Sequence, residues 1–160
     1  MPVAPALPEI SLALDTDVLT DWRNQRPHTL RHINDYFIRQ SKPPALTAFT
    51  VFEMLQGFEK VAAKPGGLDE RTQKDRAQAE QLVQMCDVLP FDQTAAAIAA
   101  YIFPRLSQSE RNKHWCDVFI AATALAHGHG LATRNERDFK LIAQHLPPDH
   151  RLLRLAVWKI

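Results

Sequence analysis

The sequence has little cysteine and almost no net charge. Its two cysteines, Cys86 and Cys116, are too far apart for a CxxC redox or zinc motif, so we expect reduced thiols. The formal net charge is +1, so binding of nucleic acid would require a local basic patch. The composition, with 46% hydrophobic and 23% charged residues, is that of an ordinary globular protein. The length of 160 residues favours a single domain over 1–160, and we expect the core of this domain within 8–158.

Signals for export and for membrane insertion are also missing. Residues 1–10, MPVAPALPEI, lack the basic start and the apolar core of a signal peptide. The longest apolar stretches, such as 118–126, are too short and too rich in alanine to span a bilayer. We therefore expect a cytoplasmic protein that does not contact membranes.

Short apolar runs alternate with amphipathic segments along the chain. Strands are predicted over 10–14, 44–47, 87–91, 131–133 and 152–157, and helices over 16–26, 29–40, 48–61, 68–86, 92–106, 115–127 and 136–145. The polar residues 107–114 are predicted to form a loop. The charged segment 62–86 is predicted to be a helical arm that projects outwards and docks at its C-terminal end, or simply a solvated helix. This alternation favours an α/β fold with a central, mainly parallel sheet of about five strands.

Two acids, Asp15 and Asp17, stand where the first apolar run stops. They either cap the helix that follows or hold a cation. In parallel sheets, binding sites form beyond the carboxyl ends of the strands, and Asp15 lies at such an end. Its position is therefore the first indication of a functional site.

Three further acids occupy conspicuous positions. Glu53 lies among apolar residues of a predicted helix, Asp117 near the start of another, and Asp138 after a predicted strand. Taken singly, Asp117 and Asp138 are explained as helix caps or dipole partners, and Glu53 as a surface carboxylate. Taken together, they can reach the same edge of a parallel sheet as Asp15, where they would repel one another unless a cation were bound. Oxygen ligands favour Mg²⁺ or Mn²⁺, which suits hydrolysis of phosphodiesters.

At these residues the sequence resembles the PIN-domain family, in particular the VapC-type toxins of bacterial toxin–antitoxin pairs. The matching segments are LDTDVL, TVFEMLQG, DVFIAATALAHG and LATRNERDF, in the expected order. The resemblance implies a PIN-like three-layer α/β/α fold and a metal-dependent endoribonuclease that cuts single-stranded loops of transfer or ribosomal RNA. It carries over Asp15, Glu53, Asp117 and Asp138 as the catalytic, metal-holding quartet. It also implies a VapB-like antitoxin that inhibits the toxin, and a homodimer.

Other residues near these segments have supporting roles in the same resemblance. Thr133 and Asn135 look like polar positions that orient an acid or a water molecule. Asp17 is a departure, because the family usually has asparagine there. Its charge either adds to the metal site or caps the helix.

Residues for RNA contact are suggested by charge and by position. Arg134, Arg137 and Lys140 follow the predicted active edge, and Lys113 precedes Asp117. They form a basic rim or are scattered solubilising charges. Trp115 stacks on an unpaired base or, as its size favours, belongs to the core.

Two other functions compete with the nuclease. The sequence DxD after a strand also begins haloacid-dehalogenase-type phosphatases, in which Asp15 would be the nucleophile and Asp17 the general acid. The phosphatase hypothesis also requires a pair of Mg²⁺-binding acids near the end of the sequence, for which Asp138 is the only candidate. The third hypothesis is a non-catalytic PIN-like binding module, which predicts an incomplete set of acids.

Overall fold

Five short parallel strands form one sheet in the computed structural model, which describes residues 10–159. They are β1 (Leu12–Leu14), β2 (Ala45–Thr47), β3 (Val88–Leu89), β4 (Gly130–Thr133) and β5 (Leu155–Val157). Their order across the sheet is β3-β2-β1-β4-β5. The chain runs outwards from β1 to β3 and then crosses to the other side of β1 for β4 and β5. The crevice between the carboxyl ends of β1 and β4 is therefore the topological switch point, where α/β sheets bind ligands.

Helices connect the strands and cover both faces of the sheet. They are α1 (Thr16–Arg23), α2 (Pro27–Gln40), α3 (Ala48–Ala62), α4 (Glu70–Met85), α5 (Gln93–Ile102), α6 (Gln108–Ala126) and α7 (Glu136–Ala143). Within the described residues, no helix has the length and apolar character needed to cross a bilayer.

Successive residues of the central strands point to opposite faces, and this alternation builds two cores. Ala13 and Leu131 pack with α5, α6 and α7 on one face. Leu14 and Ala132 pack with α1, α2, α3 and α4 on the other. All four side chains are fully buried, as expected for a parallel sheet covered on both sides. The predicted three-layer α/β/α fold is confirmed.

The start of α6 differs from the sequence prediction. The polar stretch 107–114, predicted as a loop, is helical apart from Ser107, because Ser107 and Glu110 form a capping box. The Ser107 hydroxyl accepts from the Glu110 N–H at 3.1 Å, and the Glu110 carboxylate accepts from the Ser107 N–H at 2.8 Å. Asp117 therefore lies in the middle of α6 and not near its start, which removes the helix dipole as an explanation for this acid.

Loss of this cap should have a measurable cost. We expect Ser107→Ala to lower the free energy of unfolding by about 1 kcal/mol, because the Glu110 N–H in the first turn loses its acceptor, the Ser107 hydroxyl. For a chain of this size, that is a fall in Tm of about 2–4 °C. Ser109→Ala, at an exposed position inside the same turn, is the matched control in thermal unfolding. Equal Tm values for the two variants would show that the capping box does not stabilise α6.

The charged segment 62–86 lies against the body of the protein. Ala79 of α4 is buried in the core shared with α1, and Leu82 packs against the same core. Arg76 Nη2 lies 2.9 Å from Glu59 Oε1 of α3. The helix α4 therefore contacts the body of the protein from its middle to its C-terminal end.

Candidate active site

The four acids predicted from the sequence meet at the carboxyl edge of the sheet. They come from four elements, namely Asp15 directly after β1, Glu53 in α3, Asp117 in α6 and Asp138 in the first turn of α7. The charge of Asp117 acts on Asp15, and those of Glu53 and Asp138 act on Asp117. The fold thus brings together all four carboxylates at the switch point.

Asp15 is the most deeply buried of these acids, with 6% of its surface exposed. Its Oδ1 accepts from the Thr16 N–H at 2.8 Å at the start of α1. Its Oδ2 accepts from the Thr133 hydroxyl at 2.8 Å, at the end of β4. The two interpretations of Asp15, a cap and a member of a polar site, therefore apply to the same side chain.

Glu53 is held by α1. The Thr16 hydroxyl donates to Glu53 Oε1 at 2.6 Å, so the residue that follows Asp15 also positions the second acid. Burial, together with the nearby Glu53 carboxylate, raises the pKa of the Cys116 thiol. Cys116 is free and buried, and it remains a neutral neighbour of the acids.

Asp117 and Asp138 face each other across a buried histidine. His114 Nδ1 lies 3.3 Å from Asp117 Oδ2 and 3.6 Å from Asp138 Oδ2. The Asn135 side-chain amide donates to Asp138 Oδ2 at 2.6 Å, and the Asn135 N–H donates to the Thr133 hydroxyl oxygen at 2.9 Å. Thr133 and Asn135 therefore contact two of the acids.

The protein groups around the acids disfavour ionisation of all four carboxyl groups. Burial, with the charges of Asp17 and Asp117, raises the pKa of Asp15 to about 8, although the hydrogen bond from Thr133 opposes the rise. Burial also raises the pKa of Asp117 to about 6, against the hydrogen bond from His114 and with help from the Glu53 charge. Buried carboxylates that repel one another are a donor set that fits a divalent cation, because the cation neutralises their negative charge.

Asp17 has its own compensating partner. The Arg134 N–H donates to Asp17 Oδ2 at 3.3 Å, and Arg134 Nε lies 3.9 Å from the same oxygen. Arg134 Nε also lies 2.9 Å from Asp21 Oδ2, as an ion pair without hydrogen-bond geometry. Burial raises the pKa of Asp17 and the Arg134 guanidinium opposes this rise. The unusual acid at this position is therefore turned towards the β4–α7 loop.

This pairing predicts an energetic coupling across 117 positions of sequence. We expect Arg134→Gln to lower the free energy of unfolding by about 2 kcal/mol, because it leaves Asp17 and the buried Asp21 without their cation. In the Asp17→Asn background, the same change should cost less by about 1 kcal/mol. Urea unfolding of the two single variants and the double variant measures this difference. Strictly additive effects would mean that Arg134 does not compensate Asp17.

The residues predicted for RNA contact lie around the acids and differ in their exposure and in their ion pairs. Lys113 and Arg137 are exposed, and neither forms an ion pair with another described residue. Arg134 is occupied by Asp17. Trp115 is 40% exposed, which contradicts its favoured interpretation as a core residue. Its ring meets Phe52 edge-on, with centroids 6.2 Å apart.

Sequence reasoning missed His114, which belongs to this cluster. The residue is buried, and its Nδ1 and the carboxylates of Asp117 and Asp138 lie within 4.8 Å of one another. The signal was present, because a capping box at Ser107 makes 107–117 helical and places His114 and Asp117 on one face at a spacing of three residues.

The sequence of the chain is similar to those of known proteins. The family model described as the PIN domain matches residues 12–144. The VapC ribonuclease Y4jK of Sinorhizobium fredii is 32% identical over 132 residues, which cover 81% of this chain and 90% of that protein. The plasmid stability protein StbB of Pseudomonas syringae is 28% identical, over 81% of this chain and 91% of that protein.

A solved structure extends the likeness to three dimensions. The DNA-bound VapBC of Salmonella typhimurium matches with a TM-score of 0.70 and 22% identity, over 94% of this chain and 100% of the matched one. At this identity the likeness concerns the fold. The sequence matches show that the chain belongs to the PIN domain family, in its VapC-type branch.

Proposed function

We propose that this protein is a metal-dependent endoribonuclease that cuts single-stranded RNA loops, and that it is the toxin of a type II toxin–antitoxin pair. The observation that carries the proposal is the meeting of Asp15, Glu53, Asp117 and Asp138 at the switch point, with burial raising the pKa of two of them. Such a site is costly for a protein that binds no cation there. The relative named as a VapC ribonuclease supports the same activity.

The residues of the site have two roles in the proposed reaction, to hold the cation and to orient the acids. The four carboxylates would hold Mg²⁺ or Mn²⁺, and the cation would supply activation of a water and stabilisation of the leaving oxygen of the phosphodiester. Thr133 orients Asp15, and Thr16 orients Glu53. Asn135 orients Asp138 through its side-chain amide. These neutral donors fix the acids without adding charge.

A basic cleft beside the acids offers a path for the RNA backbone. It has a volume of about 540 Å³ and is lined by Arg137, which forms no ion pair with a described residue, and by three paired cations. Arg134 pairs with Asp17 and Asp21, and Lys140 and Lys159 pair with Glu136. Asn135, which contacts Asp138, also lines this cleft. The cleft therefore extends to the four acids. On the other side, the exposed rings of Trp115 and Phe52 offer faces on which unpaired bases stack. This arrangement suits a single strand.

The two alternative functions fit less well. A phosphatase would use Asp17 as a general acid, but the Asp17 carboxylate accepts from the Arg134 backbone and is paired with its side chain. A binding module would not need four acids at one edge.

The proposed partners are an antitoxin of the VapB type and a second copy of this chain, in the cytoplasm. Support comes from similar folds that were solved as VapBC complexes. Co-expression with the product of a short reading frame upstream should relieve growth arrest caused by the chain. Light scattering of the purified protein should give the mass of a dimer.

Cleavage of RNA by the purified protein tests the proposed function. A single-stranded RNA should be cut with Mg²⁺ or Mn²⁺ and left intact with EDTA. Asp117→Asn should remove the activity while the protein stays folded. Asp149→Asn is the matched control, because Asp149 lies beside Gly130 at the opposite edge of the sheet. Undiminished cleavage by Asp117→Asn would contradict the assignment of this site.

A further inference from the structure

A histidine points into the acidic site from within the protein. His114 has 5% of its surface exposed and lies in α6, one turn before Asp117. Its Nδ1 lies beside two carboxylates from different helices, Asp117 of α6 and Asp138 of α7. One ring nitrogen of a buried imidazole therefore lies at the point where two of the four acids meet.

Only one of the two contacts is a hydrogen bond. His114 Nδ1 lies 3.3 Å from Asp117 Oδ2, within hydrogen-bond distance, and 3.6 Å from Asp138 Oδ2, which is beyond it. Neighbouring ligands of an octahedral cation with bonds of about 2.1 Å are roughly 3 Å apart. Both distances from the nitrogen are close to that spacing, so the ring nitrogen that contacts Asp117 can become a ligand of a cation held by Asp117 and Asp138, once the cation displaces its proton.

We propose that His114 is a nitrogen ligand of the divalent cation, next to Asp117 and Asp138, and that this ligand makes the site prefer Mn²⁺ to Mg²⁺. The inference rests on the proposed function only in assuming that a divalent cation binds at this edge. Mg²⁺ prefers oxygen ligands and gives up its water reluctantly. Imidazole nitrogen favours transition-metal ions, so one such ligand shifts the preference towards Mn²⁺.

Pulsed electron paramagnetic resonance of the Mn²⁺-loaded protein tests the ligand directly. We expect modulation from a directly bound imidazole ¹⁴N, which is lost in His114→Gln. The measurement on the unaltered protein needs no variant, so it does not depend on the folding of a mutant. Absence of nitrogen modulation from the Mn²⁺-loaded protein would overturn the proposal.

Calorimetric titration of each metal tests the preference. In His114→Gln, the affinity for Mn²⁺ should fall by roughly 10-fold or more, whereas that for Mg²⁺ should change by less than about 3-fold. His129→Gln is the matched control, because His129 precedes β4 at the opposite edge of the sheet and contacts the His127 carbonyl. Equal losses for the two metals would show that His114 only positions Asp117, and would overturn the proposal.

These measurements distinguish a failure of the proposed His114 ligand from a failure of the proposed RNA-cleaving activity. Nitrogen modulation without RNA cleavage under any metal would disprove the proposed function and leave His114 as a ligand. Cleavage that depends on Mn²⁺ and Mg²⁺ equally, without nitrogen modulation, would support the function and disprove the ligand.

Discussion

Asp15→Asn should lower metal-dependent RNA cleavage by at least roughly 10³-fold, which corresponds to about 4 kcal/mol of transition-state stabilisation. Asp15 is the acid at the centre of the sheet, and its carboxylate is fixed on one side by the Thr16 N–H and on the other by the Thr133 hydroxyl. Asparagine keeps the shape of the side chain but removes the negative charge that holds a cation. The expected loss is therefore one of charge and not of fold.

The same substitution should stabilise the metal-free protein. At neutral pH the unfolded chain ionises Asp15 freely, whereas burial and the charges of Asp17 and Asp117 disfavour ionisation in the folded state. Asparagine removes this penalty, which is on the order of a few kcal/mol. It also retains an oxygen that accepts from the Thr16 N–H. Activity and stability are thus expected to change in opposite directions.

Cleavage rates with metal and thermal unfolding in EDTA measure the two effects. Asp149→Asn makes the same chemical change at an exposed position outside the site, and it should leave both quantities nearly unchanged. A variant at Asp15 that lost activity and also unfolded at a lower temperature would indicate a structural role for this carboxylate, and would contradict the site proposed here.

Local sequence patterns predict the sheet and the edge of it that carries the acids. The apolar runs around Leu14 and Leu46 predict the two central strands. The alternation of strands and helices predicts a parallel sheet, with Asp15 at the end of a strand. Asp138 followed from its position after β4. These features depend on residues that are close in sequence, where hydrophobic periodicity is informative.

Other parts of the site depend on contacts that local patterns do not contain. The partner of Asp17 is Arg134, and the two meet only because β1 and β4 are neighbours in the sheet. Trp115 is exposed because α6 presents that side of its second turn to solvent, which its size did not indicate. His114 is different, because the polar residues 107–114 lack apolar periodicity and their helix depends on the capping box at Ser107.

The metal-free protein should lose stability as the pH rises from about 4 to about 8, which is opposite to ordinary acid denaturation. In the folded state the pKa of Asp15 is raised to about 8 and that of Asp117 to about 6, from 3.8 for both. Between these values the folded protein retains protons that the unfolded chain releases, so the free energy of unfolding falls by up to about 1.4 kcal/mol per pH unit for each group. The contribution is fully present below pH 4 and is lost above pH 8.

A divalent cation should reverse this dependence, because it binds the ionised carboxylates and displaces their protons. The rise in Tm caused by Mn²⁺ should therefore grow with pH over the range in which the metal-free protein weakens. Asp15→Asn should flatten the metal-free profile between about pH 6 and 8, where Asp15 alone of the two still holds its proton. Thermal unfolding of both proteins, in EDTA and in Mn²⁺, measures these slopes. A metal-free Tm that rose steadily from pH 4 to 8 in the unaltered protein would mean that these carboxylates are ionised in the folded state, and the electrostatic reason for a cation at this edge would disappear.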